Sequence, residues 1–517
     1  MKLFNFKLFS LLLGTLFLIA EPARHPHLPP YLLGRPTGSG FLKHGDRFVK
    51  PEFNTVGLTL KTVSQKVDNF DPSNNAVYNQ RYWYNSNYTK NNNIVFLMIQ
   101  GESPATETWI SNPKYQYLQW AAHFGADVFQ LEHRCFGQSR PFPDTSMPGI
   151  KVCTMSQALA DIDNFIKQMN IDHNFLNPKW ITFGGSYPGT LSALFRQEYP
   201  QATVGAVASS APLDWTLDFY EYALVVEDVL RQTNQDCWNN VNLAFQNMQQ
   251  LSLDTAGILQ LNTYFNLQPP FVPNQYTQHD IDNFFANLYS FFQGVIQYTY
   301  DGRNAATIGG LNAKTLCDKM NDPSEPDVIV RVNNTVNWIN NMNGDPIGFP
   351  NSYSDMMKVL SNATYDDESA VPGDIAANRG WMWLCCNELG ALQTTDLGRN
   401  VFQQTVTLGY FIDMCTEMFG PEIGIQYIRD NNINTNEKYG GSSNYKATNV
   451  VLPNGSYDPW HVLGTNVSDP INHVTPLLIQ GAAHCSDMYP AYDGEPADLA
   501  HNRDRIFKEL QYFLGQQ

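Results

Sequence analysis

The chain has 517 residues, and this length predicts two or three domains, or one domain that carries a large insertion. Hydrophobic residues make up 43% of it and aromatic residues 13%, enough to build buried cores. The formal net charge of −17, with no basic stripe, argues against nucleic acid as a partner.

The first twenty residues have the layout of a secretory signal peptide. Lys2 and Lys7 are followed by an apolar run over 8–19 and then by small residues. The run is shorter than the roughly 20 apolar residues of a membrane span, so we predict a signal peptide over 1–20, with an uncleaved anchor as the alternative. Residues 21–50, rich in Pro, Gly and His, are expected to form a processed or loosely ordered lead-in.

The cysteines and sequons fit secretion. Eight cysteines lie between Cys135 and Cys485 without metal-ligand spacing, so disulfides are their expected use. The sequon at Asn454 lies close to a residue assigned to catalysis below, so we do not expect a glycan there. Sequons also arise by chance in an Asn-rich chain, but glycosylation is expected at the four other positions: Asn87, Asn333, Asn362 and Asn466.

Residues 51–212 alternate between strand and helix patterns. After an antiparallel opening, the run NIVFLMIQ is typical of a strand buried on both faces. Strands that alternate with helices predict a parallel sheet of the α/β class. The predicted strands are 53–63, 76–84, 93–100, 127–131 and 203–208, and the predicted helices are 114–124 and 156–170.

The segment WITFGGSYPG over 180–189 has the layout of a nucleophile elbow. An apolar strand runs into a glycine-rich turn, Ser186 lies at its tip, and a helical segment follows over 190–198. The pattern G-x-S-x-G fits at Gly184 and Ser186, whereas Pro188 stands at the second glycine position. Proline is tolerated in the first turn of a helix, whose N–H groups have no partner there. The alternative is an ordinary glycine-rich turn between a strand and a helix.

Past Pro212 the pattern becomes helical. Helical spacing recurs over 217–231, 239–251, 281–298 and 327–341, so we predict a mostly helical insertion over 213–432. Its aromatic stripes favour helix packing over a ligand site. The α/β domain is expected to resume over 433–517, with strands at 449–452 and 475–480 and a closing helix over 499–514.

A nucleophilic serine needs a base and a carboxylate, and on an α/β-hydrolase sheet these follow it in the order carboxylate, histidine, each after a strand. His484 directly follows the strand TPLLIQG, whereas His473 precedes it and His501 lies in the final helix. Asp458 follows the strand TNVVL and is the predicted carboxylate; Asp469 is the second candidate.

An oxyanion hole needs two N–H donors aimed at the developing negative charge. The N–H of Tyr187 is the first predicted donor, and Gly101 or Glu102, after the NIVFLMIQ strand, the second. The sequence has no HExxH motif, paired CxxC or phosphate-binding glycine loop, so we predict neither a metal nor a cofactor.

Four motifs together resemble the Pro-X carboxypeptidase family, which includes dipeptidyl peptidase II and the thymus-specific serine protease. They are GGSYPG with ASSAP downstream, LEHRCFGQSRP, NGSYDPW and QGAAHCSDM. Pro188 and Cys485 look most like the thymus-specific branch. The resemblance extends from about Gly34 to the C-terminus.

The resemblance implies an α/β-hydrolase fold with a large helical cap inserted after the elbow, and serine exopeptidase activity on short peptides, often beside proline. Ser186, Asp458 and His484 match the catalytic triad, and Trp460 matches the pocket for the residue before the scissile bond. Carboxypeptidase members carry Arg four residues after the catalytic histidine, where this chain has Met488. The cleaved end of the peptide therefore stays open.

The resemblance also implies disulfide pairs. Cys135 stands where an aromatic residue is common in the family and would pair with Cys153, and Cys386 matches a cysteine that bridges Cys415. Elimination then gives Cys237 with Cys317 and Cys385 with Cys485, two of many connectivities that eight cysteines allow.

We therefore predict a serine peptidase of lysosomal, endosomal or extracellular location. Its partners are peptide substrates, without nucleic acid or membrane after signal removal, and a homodimer stays open. A catalytically silent binding protein and an esterase on the same fold are the alternatives.

Overall fold

The computed structural model describes residues 25–38, 54–90, 93–300, 310–343, 348–365 and 374–516, so the predicted signal peptide lies outside it. The strands are β1 (Tyr31–Leu32), β2 (Arg35–Pro36), β3 (Leu58–Lys66), β4 (Val77–Asn85), β5 (Ile94–Ile99), β6 (Asp127–Leu131), β7 (Lys179–Gly185), β8 (Gly205–Ser209), β9 (Leu267–Gln268), β10 (Phe349–Pro350), β11 (Val450–Gly455) and β12 (Val474–Ile479). The helices are α1 (Thr108–Ser111), α2 (Gln116–Phe124), α3 (Met147–Ile150), α4 (Met155–Asp172), α5 (Tyr187–Glu198), α6 (Glu221–Thr233), α7 (Gln235–Leu251), α8 (Thr255–Phe265), α9 (Gln278–Gln297), α10 (Ala313–Met320), α11 (Val328–Asn343), α12 (Tyr353–Leu360), α13 (Asp374–Leu384), α14 (Leu408–Phe419), α15 (Ile425–Tyr439) and α16 (Ala497–Leu514).

Eight strands form one sheet in the order β12-β11-β8-β7-β5-β6-β4-β3. Neighbours from β6 through β12 pair in parallel, whereas β4 pairs antiparallel with both β3 and β6. Every residue of the central strands β5 and β8 is buried. A strand covered on both faces needs apolar side chains throughout, which explains the continuous IVFLMI run. The sheet has the topology of an α/β hydrolase, as the sequence predicted.

The segment between β8 and β11 is mostly helical. It contains helices α6 to α15 and one two-residue parallel pair, β9 with β10. The last of these helices ends at Tyr439, beyond the predicted boundary at residue 432. The predicted aromatic stripe on α9 lies in the core, where Phe284, Phe285 and Phe292 are at most 1% exposed. We call residues 213–439 the cap.

Part of the expected loosely ordered lead-in is packed into the molecule. All residues from Leu28 to Thr37 are buried, and β1 and β2 form a short hairpin whose turn has positive φ at Leu33 and Gly34. The buried Arg35 connects both parts of the molecule. Its Nε donates to the backbone oxygen of Glu102, 2.6 Å away, and Nη2 lies 3.2 Å from Oδ1 of Asp374 in the cap. The expectation of loose order is wrong for this stretch, because its apolar and charged groups have specific partners. We call residues 28–37 the N-terminal strap.

Three disulfides join Cys135 to Cys153, Cys237 to Cys317 and Cys386 to Cys415, as expected. The fourth expected pair is wrong, because Cys385 and Cys485 are both buried thiols. They belong to different hydrophobic clusters, and the Sγ atom of Cys485 lies 3.8 Å from the backbone oxygen of Ser209.

The sequons differ in exposure. Asn87, Asn362 and Asn466 are exposed, whereas Asn333 is half-buried. Asn454 is 6% exposed within β11. This burial agrees with the expectation of no glycan at Asn454, and the other four sites stay predictions. No helix in the described part of the chain is long and apolar enough to cross a membrane.

Candidate active site

Ser186 lies at a sharp turn between β7 and α5. Its φ of 67° and ψ of −135° form a conformation that L-residues rarely adopt, as expected at a nucleophile elbow. Its N–H donates to the backbone oxygen of Ser209, 2.9 Å away, and its backbone oxygen accepts from the N–H of Thr190 at 3.0 Å. The turn is thus fixed to the end of β8 and begins the helix directly, and Ser186 stays partly exposed.

Two glycines make this turn possible. A Cβ on Gly184 would lie 2.1 Å from the backbone oxygen of Pro188, and one on Gly189 would lie 2.6 Å from the backbone oxygen of Ser209. Neither position accepts a side chain without a shift of the backbone. In the usual motif the second glycine, which permits a close backbone contact, stands at the position of Pro188. Here Gly189, one residue later, makes this contact.

Pro188 has a contact of its own. It lies within the first turn of α5, where a missing N–H leaves no bond unmade. Its ring packs on Gly101, where a Cβ would lie 2.4 Å from Pro188 Cγ. The loop after β5, which carries the predicted second oxyanion donor, is therefore in contact with the elbow.

Asp458 and His484 form a buried pair. His484 Nδ1 lies 2.8 Å from Asp458 Oδ2, and both side chains are fully buried. The second oxygen, Oδ1, accepts from the N–H of Trp460 at 3.0 Å. Because Asp458 accepts from Nδ1–H, the ring nitrogen Nε2 of His484 is the one that can take a proton from a nucleophile. The structure therefore joins the two residues that the sequence selected.

The rival carboxylate Asp469 lies elsewhere. Its Oδ1 accepts from the N–H groups of Ile471 and Asn472, each at 3.1 Å, in the turn before β12. These local bonds make Asp469 a turn residue, and the second candidate is not supported.

The loop after β8 connects the elbow to the histidine. The hydroxyl of Ser210 accepts from the N–H of Cys485 at 2.8 Å, and that of Ser209 donates to Oδ2 of Asp487 at 2.5 Å. Burial raises the pKa of Asp487 to about 6, against the opposing effects of Ser209, Arg503 and His484. This is the structural role of the ASSAP motif, and sequence reasoning did not assign it.

His133 contacts Tyr187, the first predicted oxyanion donor. Its Nε2 lies 3.1 Å from the hydroxyl of Tyr187, and its Nδ1 lies 2.6 Å from the backbone oxygen of Arg134. Burial lowers the pKa of His133 to about 4, so the ring is neutral at higher pH. Nδ1–H then donates to the carbonyl, and Nε2 accepts from the Tyr187 hydroxyl. The only sequence signal for His133 was its place in the LEHRC motif.

Trp460 lies where the cap, the strap and the histidine loop meet. Its indole Nε1 donates to Oε1 of Gln297, 3.1 Å away. The ring of Phe219 packs against it, with the two ring centroids 5.4 Å apart. The backbone oxygen of Gln297 accepts from the N–H of His484 at 2.9 Å. The side-chain Nε2 of Gln297 donates to the backbone oxygen of Gly34, also at 2.9 Å. Gln297, the last residue of α9, therefore contacts His484, Trp460 and the strap, and no sequence pattern indicated these contacts.

A serine on an elbow and a buried Asp-His pair, each at the carboxyl end of a parallel strand, define a serine hydrolase of the α/β-hydrolase fold. Residues 65–506 match the model of the serine carboxypeptidase S28 family. The chain belongs to this family and is a serine-type peptidase, as the resemblance predicted.

Relatives match over most of their length. A Caenorhabditis elegans protein described as a putative serine protease is 49% identical over 94% of this chain and 91% of its own. The human thymus-specific serine protease is 29% identical over 91% of this chain and 92% of its own. The human lysosomal Pro-X carboxypeptidase is 26% identical over 81% of each chain.

Proposed function

We propose that this peptidase is an exopeptidase that cleaves short peptides near proline through an acyl-enzyme, with Ser186, His484 and Asp458 as its triad. The Nδ1–Oδ2 contact of 2.8 Å between His484 and Asp458 carries the proposal, because it orients the histidine as a base. The three residues follow β7, β11 and β12. These strands lie within four neighbouring positions of the sheet, in the order β12-β11-β8-β7.

The first half of the reaction forms the acyl-enzyme. Ser186 Oγ attacks the scissile carbonyl while Nε2 of His484 takes its proton, and Asp458 stabilises the imidazolium. The N–H groups of Tyr187 and of Gly101 or Glu102 stabilise the oxyanion. Collapse breaks the peptide C–N bond, and the leaving amine receives the proton from His484.

Water then reverses these roles. It attacks the acyl-enzyme, gives a proton to His484, and releases the acid as the proton returns to Ser186 Oγ. The name of one relative, the human lysosomal Pro-X carboxypeptidase, supports the proline preference and a lysosomal or endosomal site. Three disulfides support passage through the secretory pathway.

Active-site labelling tests this proposal. A fluorophosphonate probe should label the full chain and fail to label Ser186→Ala. A folded wild-type protein that stays unlabelled would instead favour a silent binding protein. Faster hydrolysis of simple esters than of any Xaa-Pro peptide would favour an esterase, and cleavage confined to long chains would exclude exopeptidase action.

A further inference from the structure

The carboxylate of Asp487 is buried in the loop that carries His484. The residue is 3% exposed, and no cation among the described residues forms an ion pair with it. Its Oδ2 accepts from the hydroxyl of Ser209 at 2.5 Å. The cavity beside it is mostly apolar and is lined in part by Met98, Phe183 and Val207. A buried carboxylate outside an ion pair is costly, and such groups are concentrated at functional sites.

Arg503 of α16 fixes this loop without pairing with the carboxylate. Its Nε donates to the backbone oxygen of Asp487 at 3.3 Å, and its Nη2 donates to the backbone oxygens of Ser486 and Tyr489, each at 3.1 Å. The ion pair of Arg503 is formed with Glu495, at 2.6 Å. The backbone of Asp487 is therefore held from α16, and its carboxylate is a fixed acceptor.

Ser209 connects this acceptor to the elbow. Its hydroxyl donates to Asp487, and its backbone oxygen accepts from the N–H of Ser186 at 2.9 Å. The elbow packs closely on the same oxygen, because a Cβ on Gly189 would lie 2.6 Å from it. A displacement of Ser209 would therefore move the backbone that carries Ser186.

The charge on Asp487 strengthens this connection. Burial raises its pKa to about 6, with the hydroxyl of Ser209, Arg503 and His484 opposing this effect. Above this pH the carboxylate is ionised, and a hydrogen bond to an ionised acceptor is stronger than one to a neutral acceptor. The titratable or charged groups around Asp487 come from its own loop, from α2 and from the end of the chain: His484, Cys485, Tyr489, Tyr117, Glu495 and Arg503.

We propose that Asp487 is a positioning residue for the serine chemistry, whose ionised carboxylate holds Ser209 and thereby fixes Ser186 at the start of α5. Asp487 touches no reacting atom in this role. A displacement of about 1 Å at a reacting group can cost about 100-fold in rate, so a fixed elbow offsets the cost of a buried charge. This inference rests on the proposed function and adds to its triad a residue that makes the reactivity of Ser186 depend on pH.

The first test measures how fast a fluorophosphonate probe labels Ser186 in the full chain, because this rate needs no peptide substrate. At about pH 7.5, Asp487→Asn and Ser209→Ala should each lower the rate constant about 10-fold, since each weakens or removes the same bond. Ser192→Ala is the matched control and should keep the wild-type rate. It removes another buried serine hydroxyl, which donates to Thr182 at 2.9 Å. Wild-type rates in both test variants would overturn the inference.

The second test combines the two changes. The double variant should label within about 2-fold of the slower single variant, because both changes act on one hydrogen bond. An additional loss of about 10-fold would show that Asp487 acts on His484 through space and not through Ser209, and this result contradicts the inference.

The third test uses the ratio of the wild-type rate to the Asp487→Asn rate, which a purely structural role would leave independent of pH. The ratio should be about 10 at about pH 7.5 and close to one at about pH 4.5, where wild-type Asp487 is mostly protonated. His484 and the other titrating groups are present in both proteins, so their effects cancel. The same ratio at both pH values rules out a role for the ionised carboxylate.

These measurements separate the inference from the proposed function. Urea unfolding first establishes that each protein is folded. Folded wild-type protein that stays unlabelled overturns the proposed function itself. Labelled wild-type protein with equal rates in the Asp487 and Ser209 variants overturns only the role of Asp487.

Discussion

In the sheet domain the backbone places the candidate catalytic groups, whereas in the cap individual side chains reach the site. Ser186, Asp458 and His484 each follow a strand, and their positions follow from the order of β7, β11 and β12. The cap contacts the same site through the side chain and carbonyl of Gln297. The positions of the candidate triad therefore depend on the topology of the sheet, and the position of Trp460 depends on a few polar contacts.

The largest expected effect is in the sheet domain. Asp458→Asn should lower kcat by about 10⁴-fold, because an amide can donate to His484 and hold the wrong tautomer. The measurement is hydrolysis of a proline-containing peptide by folded variants. Asp469→Asn, in the turn before β12, should keep wild-type activity. A comparable loss in both variants would contradict the assignment of Asp458.

The next effect tests how the strap joins the two regions. Arg35→Met should reduce the free energy of unfolding by about 3–5 kcal/mol, because it removes one partner of the buried Arg35–Asp374 ion pair. Urea unfolding measures this loss. Arg231→Met, which removes a half-exposed pair with Asp228, should change stability by less than about 1 kcal/mol. Equal effects would show that the strap does not hold the regions together.

A third prediction concerns pH. Burial raises the pKa of folded Asp487 to about 6, so its contribution to stability is present at low pH and is lost as pH rises from about 4 to about 6. This loss amounts to about 3 kcal/mol. The neutral Asp487→Asn variant does not lose it, and it should therefore gain stability relative to wild type between pH 4 and pH 7.5.

Urea unfolding of both proteins at the two pH values gives this difference. His133, whose pKa is lowered to about 4, has the opposite dependence: its burial destabilises the fold as pH falls. It is present in both proteins, so its effect cancels. If the difference in the free energy of unfolding between the two proteins does not vary with pH, burial does not raise the pKa of Asp487.

The smallest effect lies in the cap. Gln297→Leu should lower kcat/KM by about 10-fold, since it removes the acceptor for Trp460 and the donor to Gly34 and keeps the carbonyl that binds His484. We expect a change mainly in KM. Gln293 lies on the same helix as Gln297, and Gln293→Leu, which removes a buried bond to Gln393, should act only on stability. A loss confined to kcat would assign Gln297 to the chemical step.

These predictions separate what the sequence could indicate from what it could not. Asp458 and His484 were predictable because strand periodicity and chain order are local patterns, and a parallel sheet converts them into proximity. The strands themselves were placed to within a few residues for the same reason. Gln297 and Arg35 were not predictable, because their partners are far away in sequence and follow no periodicity.

Composition also misled in two places. The strap is rich in proline and glycine, which favours a loose segment, but its Leu28 and Tyr31 are buried in the molecule. Pairing by elimination assumed that every cysteine is oxidised, whereas Cys385 and Cys485 lie in separate clusters. Both errors arise from tertiary packing, which composition does not encode.

The strap has a mechanical consequence. Arg35 bonds to Glu102 in the sheet domain and to Asp374 and Asn378 in the cap, so the cap is fastened to the sheet on the side of the pocket. These buried bonds would have to break before the cap could move away from the sheet at this point.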